Sequence, residues 1–305
     1  MIYHIVEPSC YQRLTNGLAI PEFARRNNIE HKTYSIEDFL SYKCDIDSSN
    51  NSIFFTESAF LRNNVTLKDV RKLVPNGKIV NIGSDTIYSK DFEEISDIHE
   101  VDLWLDTMSC CVRHYNDIGI KAEKFRWTIS ESFVSEIEKF EYKNRKDVDF
   151  ICLARQNSPY RKQLAGKLLV NGYFGYWGTG TITSDLPDLG HIYNSCYVCI
   201  GTSSPAGNIN IRSMKGFRDW IAPFFGTVLI YDKHIDMIEY DGYIDWYEYN
   251  SFESLSNLII HYREMYHKEN EKYQETLEEQ KFIALEYSIE KQFQRIFDKY
   301  GYLNV

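Results

Sequence analysis

Twice along this chain short apolar runs alternate with amphipathic stretches, and that rhythm limits the fold more than any other feature. Apolar runs of strand length separated by helical segments are the pattern of βα units in an open, mostly parallel sheet. In the first half the runs are Ile2–Val6 (IYHIV), residues 53–56 (IFFT), Lys78–Ile82 (KIVNI) and residues 101–105 (VDLWL). Helical spacing covers 21–27 and 67–74, with Thr66 as N-cap and Pro75-Asn76-Gly77 as the stop. The second series has strands at 148–153 (VDFICL), 173–177 (YFGYW), 196–200 (CYVCI) and 227–231 (TVLIY), and helices at 161–170 and 215–225. A charged helical stretch follows over 254–300, interrupted near Glu286 and Tyr287.

A chain of 305 residues is long enough to divide in two. The polar, acidic segment 130–146 separates the two series. The expected organisation is a Rossmann-like domain over 1–130, a linker over 131–146, a second Rossmann-like domain over 147–285, and a final helix, 286–305, returning to the first domain.

With 43% hydrophobic and 26% charged residues the chain is an ordinary globular one. No apolar run approaches the ~20 residues of a membrane span, and MIYHIVEPSC lacks the design of a signal peptide, so a cytoplasmic location is expected. The cysteines, Cys10, Cys44, Cys110, Cys111, Cys152, Cys196 and Cys199, are odd in number and hold no pair of CxxC motifs, which argues against a disulfide framework and a zinc ribbon. A net charge of -10 opposes any sequence-independent grip on nucleic acid.

In open α/β sheets chemistry belongs to the loops after the strands. After VDFICL comes a polar loop with Arg155 and Arg161 that opens a helix, and after YFGYW come Gly178 and Thr179. Arg212, Lys215, Arg218 and Asp219 gather just before the apolar run 220–225. Guanidinium groups and helix starts both favour phosphate, so these loops suit a diphosphate. Carboxylates close the first-half strands: Glu7, Glu57, Asp85 and Asp106. A general base that deprotonates an acceptor hydroxyl belongs on that rim. The Asp45-Ile46-Asp47 and Asp147-Val148-Asp149 pairs sit away from it, and no metal is expected. No GxGxxG follows any strand, which sets aside a dinucleotide enzyme.

The run KGFRDWIAPFFGTVLIYD resembles the K-G-R-D-F-E-x-P-x-x-G pattern and following strand of CgeB-like glycosyltransferases, a branch of the GT-B superfamily. VDFICLARQNSPYRKQLAGKLLVNGYFGYWG is similar to the opening of that family's donor domain, and the resemblance runs from about residue 102 to 297. It implies an α/β GT-B fold: two Rossmann-like domains facing across a cleft, the first for the acceptor and the second for the donor, with a long C-terminal helix. By the same resemblance Lys215 and Arg218 would neutralise the diphosphate of a nucleoside-diphosphate sugar, a UDP-sugar above all, with Arg155, Arg161 and Arg212 assisting. Gly178, Thr179 and Asp219 would border the nucleotide, and no separate cofactor is implied. The family's ribose-holding glutamate is replaced by Ile221, with Asp219, Asp232 or Glu239 as its substitute, and the replacement also fits a non-catalytic nucleotide-sugar binder. The acceptor would be a saccharide, a protein, or a hydroxymethylated base of phage DNA with Arg13, Arg25, Arg26 and Arg62 gripping the duplex.

Overall fold

The computed structural model describes residues 1–6, 16–41, 44–47, 52–57, 66–83, 97–142, 145–153, 159–178, 186–202, 204–205, 212–213, 217–233 and 240–304. The chain divides into two compact units: Met1–Ser132 with Ala206–Ser213 and Ser288–Val305, and Phe133–Pro205 with Met214–Tyr287.

The first unit holds a parallel sheet of six described strands, β1 (Ile2–Val6), β2 (His31–Ser35), β3 (Ile53–Glu57), β4 (Lys78–Ile82), β5 (Leu103–Asp106) and β6 (Ala122–Lys124). Their order is β2-β1-β3-β4-β5-β6. Successive residues point to opposite faces, and because helices cover both faces the central strands are mainly apolar, with His4, Thr56, Asn81 and Asp106 as buried polar residues among them. Ile2, Phe55, Ile82 and Leu105 face one core, Tyr3, Phe54, Ile79 and Trp104 the other. Helices α1 (Asn16–Arg26), α2 (Ile36–Leu40), α3 (Leu67–Leu73) and α4 (Ser109–Asp117) connect the strands. Thr66 caps α3 in a reciprocal box with Asp69.

The second unit holds β7 (Val148–Cys152), β8 (Gly175–Trp177), β9 (Cys196–Gly201), β12 (Val228–Asp232) and β13 (Asp245–Tyr247), parallel, in the order β13-β12-β9-β7-β8. The two-residue strands β10 (Ser204–Pro205) and β11 (Arg212–Ser213) lie between β9 and β12 in sequence. Helix α5 (Glu131–Ile137) occupies part of the expected linker. Helices α6 (Pro159–Val170), α7 (Leu186–Asn194), α8 (Phe217–Trp220), α9 (Phe252–Lys268) and α10 (Asn270–Glu286) follow. The helix expected over 215–225 is instead the short α8 and a 3₁₀ turn, Pro223–Phe225, because proline has no N–H to continue an α-helix. The C-terminal stretch breaks at Glu269 as well as near Tyr287, so α9 and α10 are separate helices.

The last helix, α11 (Ile289–Tyr300), packs on the first unit. Phe293 and Phe297 lie one turn apart on its apolar face and reach Phe23 at 5.8 and 5.3 Å and Phe55 at 5.2 and 5.6 Å between ring centroids. Each buried ring contributes on the order of 2 kcal/mol. Glu290, buried, accepts from Ser130 Oγ at 2.6 Å and from Glu131 N at 3.0 Å, so its carboxylate sits at the start of α5, where the helix dipole favours it.

Candidate active site

In the second unit β7 has β8 on one side and β9 on the other, so the connection from β7 to β8 and that from β9 to β12 run in opposite directions, the topology that opens a crevice beyond the carboxyl ends of β7 and β9. Arg161 spans that crevice. It stands in the first turn of α6, is 7% exposed, and donates from Nε to Thr202 Oγ1 at 2.9 Å and from Nη2 to Thr202 O at 2.8 Å. Thr202 follows the last residue of β9. A guanidinium so shielded from water is a strong partner for phosphate oxygens.

Two carboxylates share this edge. Asp232, the last residue of β12, and Asp219, in α8, are both buried. Tyr231 reports all three charges: burial pushes its phenol well above the usual range, Asp219 and Asp232 push it further, and Arg161 opposes them. The Tyr231 ring lies against Gly201, where a Cβ would come within 1.9 Å of it, so only glycine allows β9 and β12 to pack here. Tyr247 O–H donates to Gly201 O at 2.9 Å.

Gly178 follows β8, and its amide donates to Cys152 O at 3.1 Å, which commits that N–H to closing the sheet. Ile221 is buried in the turn after α8. Arg212 lies in β11 and Arg218 in α8. Arg155, Thr179 and Lys215 lie outside the described residues, as does Glu239.

In the first unit the direction of connection reverses between β1 and β3. Glu57 closes β3 at that point, while Glu7 and Asp85 lie outside the described residues. Asp106, the last residue of β5, is 4% exposed, and burial pushes its carboxyl up to about 6. It accepts from Met108 N at 3.0 Å and from Trp104 Nε1 at 3.2 Å, and Cys111 also hydrogen-bonds to it. These bonds oppose burial without cancelling it. A Cβ on Gly83 would lie 2.6 Å from Asp106 Oδ2 and 2.8 Å from Trp104 Nε1, so glycine makes room for the carboxyl. Arg126, also buried, donates to Thr107 O at 3.1 Å, and Trp127 Nε1 donates to Gly83 O at 3.4 Å.

The basic residues expected to grip a duplex are occupied where they are described. Arg25 and Arg26 both reach Glu22 at 2.7 Å, and Arg26 also reaches Glu131 at 2.7 Å. The Arg25 hydrogen bond, with Arg26 beside it, lowers the Glu22 carboxyl to about 2. Arg13 and Arg62 lie outside the described residues. Among the described residues no group of three or more His, Cys, Asp or Glu side chains is placed to hold a metal ion. No described helix is long and apolar enough to cross a membrane.

No family model matches the sequence, and no curated protein does. Solved structures do match along nearly the whole chain. A DNA-modifying β-glucosyltransferase, solved with and without uridine diphosphoglucose, aligns over 100% of both chains with a TM-score of 0.56 at 12% identity. OtsA aligns over 97% of both with a TM-score of 0.62 at 10% identity. The fold is GT-B. HepE of Anabaena, in complex with UDP and glucose, adds a third GT-B likeness, covering 98% of this chain and 99% of that one with a TM-score of 0.54 at 10% identity. Within the GT-B frame the sheet with Arg161 and the sheet with Asp106 are the two Rossmann-like sheets.

The residues not singled out in the sequence are Thr202, Arg126 and Trp127. Thr202 had a signal, being the first polar residue after the apolar run CYVCIG. Arg126 and Trp127 had none, because the three-residue β6 before them carries no strand pattern.

Proposed function

We propose that this chain is a sugar-nucleotide-dependent glycosyltransferase that moves a sugar from a nucleoside-diphosphate sugar to an acceptor hydroxyl. The second unit holds the donor and the first the acceptor. The observation that carries this reading is the buried Arg161 guanidinium bridging the crevice beside β7 in a GT-B fold. Arg161, together with Arg155, Arg212, Lys215 and Arg218, stabilises charge on the departing diphosphate, as in the CgeB-like family the sequence resembles. UDP-sugars are the favoured donors, since two of the GT-B likenesses were solved with UDP or uridine diphosphoglucose. With Ile221 in the place of the family's glutamate, Asp219, Asp232 or Glu239 takes over the ribose.

On the acceptor side the candidate bases are Glu7, Glu57, Asp85 and Asp106, and the burial that raises the Asp106 carboxyl to about 6 supports its inclusion. The acceptor is a saccharide or a protein; a hydroxymethylated base in DNA is supported by the acceptor of the β-glucosyltransferase and opposed by the net charge of -10. Calorimetric titration with UDP-, GDP-, ADP- and TDP-sugars tests the donor assignment. Binding of one donor that is lost in Arg161→Ala supports it, and failure of every donor to bind sinks it. The buried Ile221 favours a second reading, a nucleotide-sugar binder without turnover, which is distinguished by donor binding with no diphosphate release under any acceptor.

A further inference from the structure

Several large apolar side chains of the second unit stand in solvent, and they fall into two groups of opposite charge. The first group is at the end of α6. That helix turns Tyr160, Arg161, Leu164 and Leu168 inward, which leaves Leu169 (77% exposed) and Val170 (85%) on the outward face with Lys162 and Lys167. Phe174, just past the turn at Gly172, is also exposed. From residue 159 to 178 the sequence contains Arg161, Lys162 and Lys167 and no Asp or Glu, in a chain of net charge -10.

The second group surrounds a pocket of ≈ 340 Å³ between the segment after α5 and the outer face of α10. Phe140, Tyr142, Phe224 and Phe282 line it, with Glu138 and Glu278 among the lining residues. Phe282 is 56% exposed on an otherwise charged helix face, and Phe140 is exposed beside it. Glu141 and Glu279, both exposed, add to the acidic surroundings. Among the described lining residues the one cation, Lys281, pairs with Glu278 at 2.7 Å and the two charges offset each other, which leaves Glu138 as the net negative charge of the lining.

We propose that the Leu169–Val170 end of α6 in one copy of this chain docks into the Phe140–Phe282 pocket of a second copy. Apolar side chains flanked by lysines meet an aromatic pocket flanked by glutamates, so shape class and charge agree. The basic knob answers the like-charge repulsion that two chains of net charge -10 otherwise feel. Because the two patches differ, the contact is head-to-tail: each copy offers one knob and one pocket, and association closes into a ring or continues as a filament. The contact does not depend on the proposed enzymatic activity.

The test is sedimentation velocity of the full chain over a range of concentrations, with a knob variant, Leu169→Glu/Val170→Glu, and a pocket variant, Phe140→Ser/Phe282→Ser. Every substituted side chain is exposed, and circular dichroism checks that each variant is folded. If a double variant unfolds, Lys167→Glu and Glu138→Lys take its place as knob and pocket variants. The parent chain is expected to form species heavier than the 36.0 kDa monomer. Each variant alone stays monomeric, while their equimolar mixture, having one intact knob and one intact pocket, forms a species of twice the monomer mass and no larger. A parent that is monomeric throughout, a mixture that stays monomeric, or a pocket variant that still self-associates overturns the proposal.

Discussion

Arg161 Nε lies 2.9 Å from Thr202 Oγ1 and Arg161 Nη2 lies 2.8 Å from Thr202 O, so one side chain ties the start of α6 to the end of β9. α6 follows β7 and Thr202 follows the neighbouring β9, so the bond joins the connections of two adjacent strands. The guanidinium holds these two elements together, and the proposed donor site asks it also to offer charge to a ligand.

Replacing Arg161 separates these tasks. Arg161→Ala is expected to cost about 1–3 kcal/mol of stability, because the Thr202 carbonyl is left without its buried donor. Arg161→Lys recovers only part of this, since an ammonium lacks the planar fork that reaches Oγ1 and O together. Urea unfolding of the two variants measures the difference, and UDP titration of the folded variants shows whether binding falls further than stability does.

Asp106 makes a pH-dependent prediction with a definite sign. Its carboxyl is raised from 3.8 to about 6 by burial, so between these values the folded chain holds a proton that the unfolded chain has released. Stability contributed by this group is present below pH 4 and falls as pH rises to 6, by roughly 3 kcal/mol at ~1.4 kcal/mol per unit. The stability difference between the parent and Asp106→Asn should change by that amount between pH 4 and 7, in favour of the variant at pH 7. Gly83→Ala should disturb the same carboxyl, since a Cβ there meets Asp106 Oδ2 at 2.6 Å; a shifted transition in the parent-minus-variant stability curve is the expected readout.

Lys146 titrates in the opposite sense. Its ammonium is buried, donates to Asn194 O at 3.0 Å and Cys196 O at 2.7 Å, and lies 5.8 and 5.6 Å from the rings of Tyr266 and Tyr273. Burial lowers it from 10.5 to about 7. Above pH 7 the unfolded chain holds the proton that the folded chain has lost, so the cost of the buried charge, complete below pH 7, is relieved as pH rises. Relative to Lys146→Met, the parent should gain roughly 2–3 kcal/mol between pH 7 and 9. Denaturant titrations of both proteins at the two pH values provide the check.

Two glutamines on successive helices do the same work in different units. Gln280 of α10 exchanges hydrogen bonds with Leu229 N and O, each at 2.8 Å, and Gln292 of α11 does so with Arg126 N at 2.6 Å and O at 2.9 Å. Each satisfies both backbone groups of a single residue. Gln280→Leu and Gln292→Leu should each cost about 2–4 kcal/mol by stranding two buried backbone groups. Amide exchange should quicken at Leu229 in the first variant and at Arg126 in the second; the reverse pattern would be wrong for these contacts.

The central strands were legible in the sequence because both faces of each sheet are covered. Ile2–Val6 and Lys78–Ile82 read as mainly apolar runs, interrupted by His4, Lys78 and Asn81, and are strands with those bounds. β2 (HKTYS) was not legible: it is an edge strand, partly exposed, with no apolar run to signal it. β13 (DWY) and β6 (AEK) are too short to show a period. At the site, Arg161 was readable from its place at a helix start after a strand. Thr202 had a signal as the first polar residue after CYVCIG, but its pairing with Arg161, 41 residues away, was not readable, because only the order β8-β7-β9 brings the two loops together. The raised Asp106 carboxyl was also beyond the sequence, since it depends on Trp104, Met108 and Gly83 enclosing one side chain.

The most direct measurement is the release of free nucleoside diphosphate when the chain is incubated with a panel of nucleotide sugars, with and without saccharide, protein and hydroxymethylated-DNA acceptors. At least one donor, a UDP-sugar before the others, should yield diphosphate matched by sugar on an acceptor or in water. Asp106→Asn should abolish that release while the donor still binds. Failure of every donor both to bind and to release diphosphate would contradict a glycosyltransferase.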